Sequence, residues 1–341
     1  PKRWNGRLVV AGTPQQRTEF ACDIVFSDPL IARGFAYISG NKGNGEGLAI
    51  LAADATLEIR HVRLPRLFIP GQDGGSVVSW QHGPGHTMER WLEEMLAMTE
   101  VAHEVLADRC GRAPELTYAI GLGNGGYEVR RAIESSGAFA GALTWNATMW
   151  RPDSNALMVL PEAIGALLAD EPHRIFQMGF PPDVRSASGK DSLYRKNLFV
   201  HWFASLWLHA VHLDPEMSTA YGDVDDPTPA EEWAPKLTQW RYNRSPVIAQ
   251  RVAGFSNTGD IRCKLVELAS EFNHLITPKG NLDTYAKLVE SAGKSALYRS
   301  EIIRNTQHVD AWSEDPEYSA MVPALPRVLR AWEDLIEWVE G

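Results

Sequence analysis

Leu116-Thr-Tyr-Ala-Ile-Gly-Leu-Gly-Asn-Gly-Gly-Tyr-Glu-Val-Arg-Arg-Ala-Ile-Glu134 is the stretch whose reading decides the fold. An apolar, β-favouring run from Leu116 to Ile120 enters a glycine-dense turn, Gly121 to Gly126. A helical pattern follows, with Tyr127, Val129 and Ile133 set among charges. Strand, tight turn and helix in that order form the context of a G-x-S-x-G nucleophile elbow. Gly121 and Gly125 lack a Cβ, so strand and helix can pack closely across the turn, and Gly126 lets the helix start near the sheet. The nucleophile position itself, residue 123, is glycine.

Outward from this stretch, the chain reads as one large α/β unit with an insertion. Its 341 residues suffice for that, and 44% hydrophobic with 22% charged residues is ordinary globular composition. Arg7 to Val10 is an early strand running into Ala11-Gly-Thr-Pro14. Asp28 to Gly34 reads as a short helix with a C-cap glycine, and Gly34 to Ser39 as a buried strand. The glycine-rich loop Asn41 to Gly47 lacks the order of a phosphate loop. Alternation in Ala53 to Arg63, with the turn Gly71-Gln-Asp-Gly-Gly75, predicts an inserted hairpin. Thr87 to Arg109 is an amphipathic helix carrying a Met88, Trp91, Leu92, Met95, Met98 stripe. Phe139 to Trp145 is the next parallel strand, with Asn146 to Trp150 at its C-terminal end. Ligands bind outside the strand C-termini of such sheets, so Trp145, Asn146 and Trp150 are candidate pocket walls.

From 151 to about 250 the pattern is helical and rich in aromatics, including Trp202, Trp207, Trp233 and Trp240, with Pro-rich joints. It reads as a helical cap (151–250) inserted into a core of 1–150 and 251–341. Trp202 and Trp207 are candidates to line a pocket for a bulky apolar or aromatic ligand. Any one of these aromatics serves equally well to hold cap to core. Beyond the cap, Phe272 to Thr277 reads as a short strand, Thr284 to Ala292 as a helix, and Leu297 to Ile303 as the last strand. Val328 to Val339 is an amphipathic closing helix.

Other classes are disfavoured. A net charge of −10 opposes nucleic acid as a main partner. No apolar run reaches the roughly 18–20 residues of a membrane span. Cys22, Cys110 and Cys263 are too few and too scattered for a disulfide framework or a metal site. His82 and His86 flank Gly83-Pro84-Gly85 and cannot share a helix face. No metal and no cofactor are implied. The expected setting is the cytoplasm, although a chain beginning at Pro1 is expected to have lost upstream residues. Assembly as a homo-oligomer is left open.

The chain resembles the α/β-hydrolase superfamily, and within it bacterial esterases of the tannase-like and 3-hydroxybutyrate-oligomer-hydrolase-like group. The resemblance is carried by Trp4 to Val10 with Gly12, by Gly34 to Ser39 with Lys42 and Gly43, and by the elbow Gly121 to Glu134. Gly280-Asn-Leu-Asp283 and Asn305-Thr-Gln-His-Val-Asp310 add to it. It implies an α/β-hydrolase fold with a mainly parallel sheet and a helical cap. It also implies hydrolysis of a carboxylic ester or lactone, with a macrolactone such as zearalenone as one substrate guess. The triad order nucleophile, acid, histidine then gives position 123, Asp283 and His308, with Asp260 or Asp310 as other acids and His274 as another histidine. The oxyanion donors implied are the amides of Asn124 and Thr13, with Gly12 beside them. Because Gly123 has no hydroxyl, no acyl-enzyme can form there. Two explanations compete: an inactivated variant of a serine esterase, or a natural homologue that binds a ligand. The intact remainder of the machinery favours the first.

Overall fold

In a computed structural model, the structure describes residues 4–14, 19–42, 66–69, 76–79, 88–219, 228–229 and 238–341. In chain order the strands are β1 Arg7–Gly12, β2 Ala36–Ser39, β3 Arg66–Ile69, β4 Ser76–Ser79, β5 Leu116–Leu122, β6 Gly141–Trp145, β7 Thr228–Pro229, β8 Lys264–Ser270 and β9 Tyr298–Ile303. The α-helices are α1 Asp28–Ala32, α2 Met88–Cys110, α3 Asn124–Ser135, α4 Leu160–Leu168, α5 Pro172–Gln177, α6 Leu193–Asn197, α7 Ala204–Leu213, α8 Pro215–Thr219, α9 Pro246–Gly254, α10 Pro278–Ser291 and α11 Leu325–Glu340.

Six strands form one sheet in the order β2-β1-β5-β6-β8-β9, every neighbouring pair parallel. Parallel strands need crossovers, and helices on both faces supply them, so the central strands are buried on both sides. In β1, Val9 and Ala11 join Tyr118, Ile120 and the α11 residues Val328, Trp332 and Leu335 on one face. Leu8 and Val10 join Met95 of α2, Ile133 of α3 and Tyr285 of α10 on the other. A small second sheet pairs β3 antiparallel with β4 and parallel with β7. It holds strands on either side of the expected Gly71–Gly75 turn. Residues 53–63 and 71–75, Gly43–Gly47, His82, His86 and Trp233 lie outside the described residues.

Between β6 and β8 the described residues carry the helices α4 to α9 together with the short β7. Their side chains, among them Leu160, Ile164, Trp202, Leu206 and Trp240, share one apolar cluster with Trp91, Tyr127, Trp150, Leu275 and Ile276. Leu198–Phe203, between α6 and α7, is a π-helical turn.

One strand differs from expectation. Phe272–Thr277 is a loop, and the strand is Lys264–Ser270. The sequence hides it because Glu267 sits in its middle. That carboxylate is 1% exposed and paired with Arg130 of α3. Arg130 also donates from Nη1 to the Thr148 carbonyl at 2.8 Å, and the Tyr298 hydroxyl donates to Glu267 at 2.9 Å. A buried charge survives only with such partners.

Candidate active site

The end of β5 and the start of α3 form the elbow. Gly123 has φ 60° and ψ −121°, a conformation L-residues rarely adopt. Its N–H donates to the Trp145 carbonyl, and its carbonyl accepts from Tyr127 and Thr148. Pairing of β1 with β5 sets Gly12 beside Gly121, and the first turn of α3 lies across both. A Cβ on Gly12 would sit 2.3 Å from the Gly125 carbonyl oxygen, so this approach excludes even a methyl group.

A Cβ built on Gly123 would meet His308 Cε1 at 3.5 Å, His308 Nε2 at 3.7 Å and Ile276 Cδ1 at 3.8 Å. These are ordinary contacts. Position 123 and His308 are therefore brought together at the spacing a nucleophile and its base require.

Asp283 is not brought there. It is an exposed residue of α10, whereas His308 is buried. With the strand ending at Ser270, the loop that follows it faces His308 with Asn273, which is fully buried. The amide of Asn273 is oriented without ambiguity. Its Oδ1 accepts from the backbone N–H groups of Leu275 (3.1 Å) and Ile276 (2.9 Å), and these can only donate. Its Nδ2 therefore faces His308 Nδ1, at 3.3 Å. An amide NH₂ can only donate, so Nδ1 accepts and the ring proton lies on Nε2, facing position 123. A triad acid does the opposite: it accepts from Nδ1–H and frees Nε2 to take a proton. Of the other acids considered, Asp310 accepts from the amides of Ala324 and Leu325, and Asp260 pairs with Lys294. His274 donates from Nε2 to the Pro182 carbonyl.

Asn124 opens α3, so its N–H is among those with no partner inside the helix. Thr13 follows β1 and is held firmly. Its hydroxyl donates to the Gly40 carbonyl, and the Lys42 ammonium bonds both its carbonyl and its hydroxyl. Lys42 is buried and paired with Glu128 of α3, with its ammonium 5.2 Å from the Trp91 ring centre. Burial pushes the Glu128 carboxyl up to about 7, against the pull of that ammonium.

The pocket over the elbow is lined by Gly123, Asn124, Thr148, Met149, Trp150, Ala156, Leu157, Leu160, Ser205, His209, Leu275, Ile276, Asn281 and His308. Its cavity volume is only about 40 Å³, a narrow slot. Trp150, a candidate wall residue, and Asn124, a candidate oxyanion donor, both line it, and several other candidates are elsewhere. Trp145 points into the core beneath the sheet. Gly12 is sealed against Gly125, and Thr13 is not among the lining residues. Trp202 donates to the His274 carbonyl at 2.8 Å and packs on Phe180 and Tyr194, tying the π-helical turn to the loop after β8. Asn146, at φ 53°, knots the strand ends: it donates to Ser270 Oγ and the His308 carbonyl and accepts from the Ser270 amide. The side chain of Trp207 lies outside the described residues.

Asn273 and His209 escaped the sequence reading. The sequence pattern places Asn273 inside a strand, although an asparagine just past a buried strand is the available signal. His209 was one apolar-helix histidine among several. His201, also missed, sits edge-on 5.9 Å from His308, its Nδ1 bonded to Asn197.

Among the described residues no group of His, Cys, Asp or Glu is placed to hold a metal ion, and no helix is long and apolar enough to cross a membrane. No protein-family model and no curated protein matches the chain. It is similar to Pyrococcus horikoshii acylaminoacyl peptidase at 11% identity and a TM-score of 0.45, covering 97% of this chain and 37% of that one. A thermophilic esterase from Thermogutta terrifontis matches at 14% identity and TM-score 0.41, covering 98% and 90% of the two chains. A carboxylesterase structure from Nitrososphaera gargenis matches at 10% and 0.39, covering 98% and 89%. These likenesses are distant, and the fold stands on the sheet itself. With six parallel strands in the order β2-β1-β5-β6-β8-β9, helices on both faces, and a strand–turn–helix elbow at Gly123, the chain has the α/β-hydrolase fold.

Proposed function

We propose that this chain binds a small carbonyl-bearing molecule, a short-chain acid or ester, in a hydrolase-type pocket without forming an acyl-enzyme. The observation that carries this is the Asn273 amide, which donates to His308 Nδ1 and so turns Nε2–H toward the space over Gly123. That space, left by the absent side chain, is bordered by two donors, Nε2–H of His308 and the N–H of Asn124. The N-terminal end of α3 adds a partial positive charge. A carboxylate or carbonyl oxygen is the complement of that set. The narrow slot favours a slender ligand over a macrolactone ring. Two of the three catalytic positions depart from the hydrolase pattern, through Gly123 and Asn273. This supports a natural binding protein over an active enzyme silenced at one position.

Titration calorimetry with butyrate and hexanoate tests the proposal. Binding that is lost in His308→Ala supports it. Hydrolysis of p-nitrophenyl butyrate by the unaltered chain, abolished by His308→Ala, would overturn it. A second reading, an ester hydrolase when serine stands at position 123, is favoured by the 3.7 Å approach of a Cβ there to His308 Nε2.

A further inference from the structure

The wall of the same slot holds two polar atoms that have no hydrogen-bond partner among the described residues. Trp150 is 2% exposed and His209 is 5% exposed, and both line the pocket. The indole Nε1 of Trp150 and the Nδ1 of His209 are fully buried and have no hydrogen-bond partner among the described residues. The two rings are neighbours, edge to face, with centres 4.7 Å apart. Buried polar groups are normally satisfied, and each one left alone costs a good part of a hydrogen bond. Apolar side chains, Leu157, Leu160, Met149 and Ile276 among them, make up most of the surrounding wall, and no charged residue among the described ones lines it.

These two atoms define what would satisfy them. An indole N–H is only a donor, so its partner must carry an acceptor atom. The Nδ1 of a neutral imidazole either donates or accepts. Burial holds the His209 ring neutral by pushing its pKa down to about 3. A hydroxyl accepts from Trp150 and then serves His209 in either tautomer. A charged group would be stripped of water in this wall with no counter-charge.

We propose that the pocket selects ligands bearing, besides their carbonyl, a neutral hydroxyl read by Trp150 Nε1 and His209 Nδ1. This rests on the binding reading above and adds to it a second group of the ligand.

The test uses two matched series, alkanoates and ω-hydroxyalkanoates of four to ten carbons, titrated calorimetrically into the unaltered protein. The expected result is a chain length at which the hydroxy acid binds about tenfold more tightly than its plain counterpart. Trp150→Phe and His209→Phe should each erase that difference between the series. If plain alkanoates bind at least as tightly at every length, the hydroxyl proposal is overturned while the binding reading survives. If neither series binds, both are overturned. Because the central comparison needs no variant, poor folding of Trp150→Phe or His209→Phe cannot obscure it.

Discussion

Replacing Asn273 by aspartate in a Gly123→Ser background should convert a nearly inert site into an esterase. Serine at 123 places its Cβ 3.7 Å from His308 Nε2, so Oγ can reach the ring. With Asn273 in place, however, Nε2 already carries the proton and cannot accept another from Oγ. Aspartate is nearly isosteric with asparagine. One carboxylate oxygen can keep the amides of Leu275 and Ile276, while the other accepts from His308 Nδ1 and moves the proton there. The known cost of the wrong tautomer in a serine triad is about 10⁴-fold in kcat. At about 1.4 kcal/mol per decade this is some 5–6 kcal/mol of transition-state stabilisation. The assay is p-nitrophenyl butyrate hydrolysis by four proteins: the unaltered chain, each single variant and the double variant. The unaltered chain and Asn273→Asp lack a nucleophile and should be silent. Gly123→Ser should be feeble, and the double variant about 10⁴-fold faster. Gly123→Ser matching the double variant would refute the tautomer argument, since His308 would then be a competent base beside asparagine.

Other perturbations give separate readings. Serine at residue 123 must adopt φ 60°, which costs a non-glycine residue roughly 1–3 kcal/mol, so Gly123→Ser should melt a few degrees below the glycine form; a higher melting temperature contradicts the strain. Glu267→Gln leaves Arg130 charged and buried among the sheet strands and should lose about 3–5 kcal/mol in urea unfolding, whereas Arg130→Met with Glu267→Met should lose much less. His209 and His274 are buried neutral, with pKa values pushed down by burial to about 3 and about 4. Below the unfolded value near 6.5 the unfolded chain binds protons that the folded chain refuses. Stability should therefore fall as pH drops from about 6.5 toward 4, by up to about 1.4 kcal/mol per pH unit for each ring, and replacing His209 by phenylalanine should flatten that slope.

The sheet was readable because its strands are long apolar runs, and the elbow because steric demand writes glycine into it. His308 was readable from its place after the last strand. The acid position was not, for a physical reason. Glu267 interrupts β8, and a lone charge within a buried strand is legible only when its partner is known. Arg130 lies 137 residues earlier, on α3. Without β8, the strand expected at Phe272 lies eight residues after Lys264, where β8 begins, and the expected acid, Asp283, falls on an exposed position of α10. Pocket walls were harder still. Tryptophan reads alike whether it lines a pocket, as Trp150 does, or pins helix to loop, as Trp202 does by donating to the His274 carbonyl.

The backbone contact of Gly12 with Gly125 separates two kinds of information in the elbow. Three glycines there, Gly12, Gly121 and Gly125, answer to one question: whether two backbones can lie within touching distance. A Cβ on any of them would fall within 2.0–2.3 Å of a carbonyl oxygen. Only residue 123 answers to chemistry. A glycine-framed turn is thus testimony about carpentry. It persists as long as the sheet and the elbow helix must meet, whether or not a reaction takes place above it. Two letters of the five, Gly121 and Gly125, can be read as architecture, and the fate of a substrate hangs on residue 123 and on the amide behind His308.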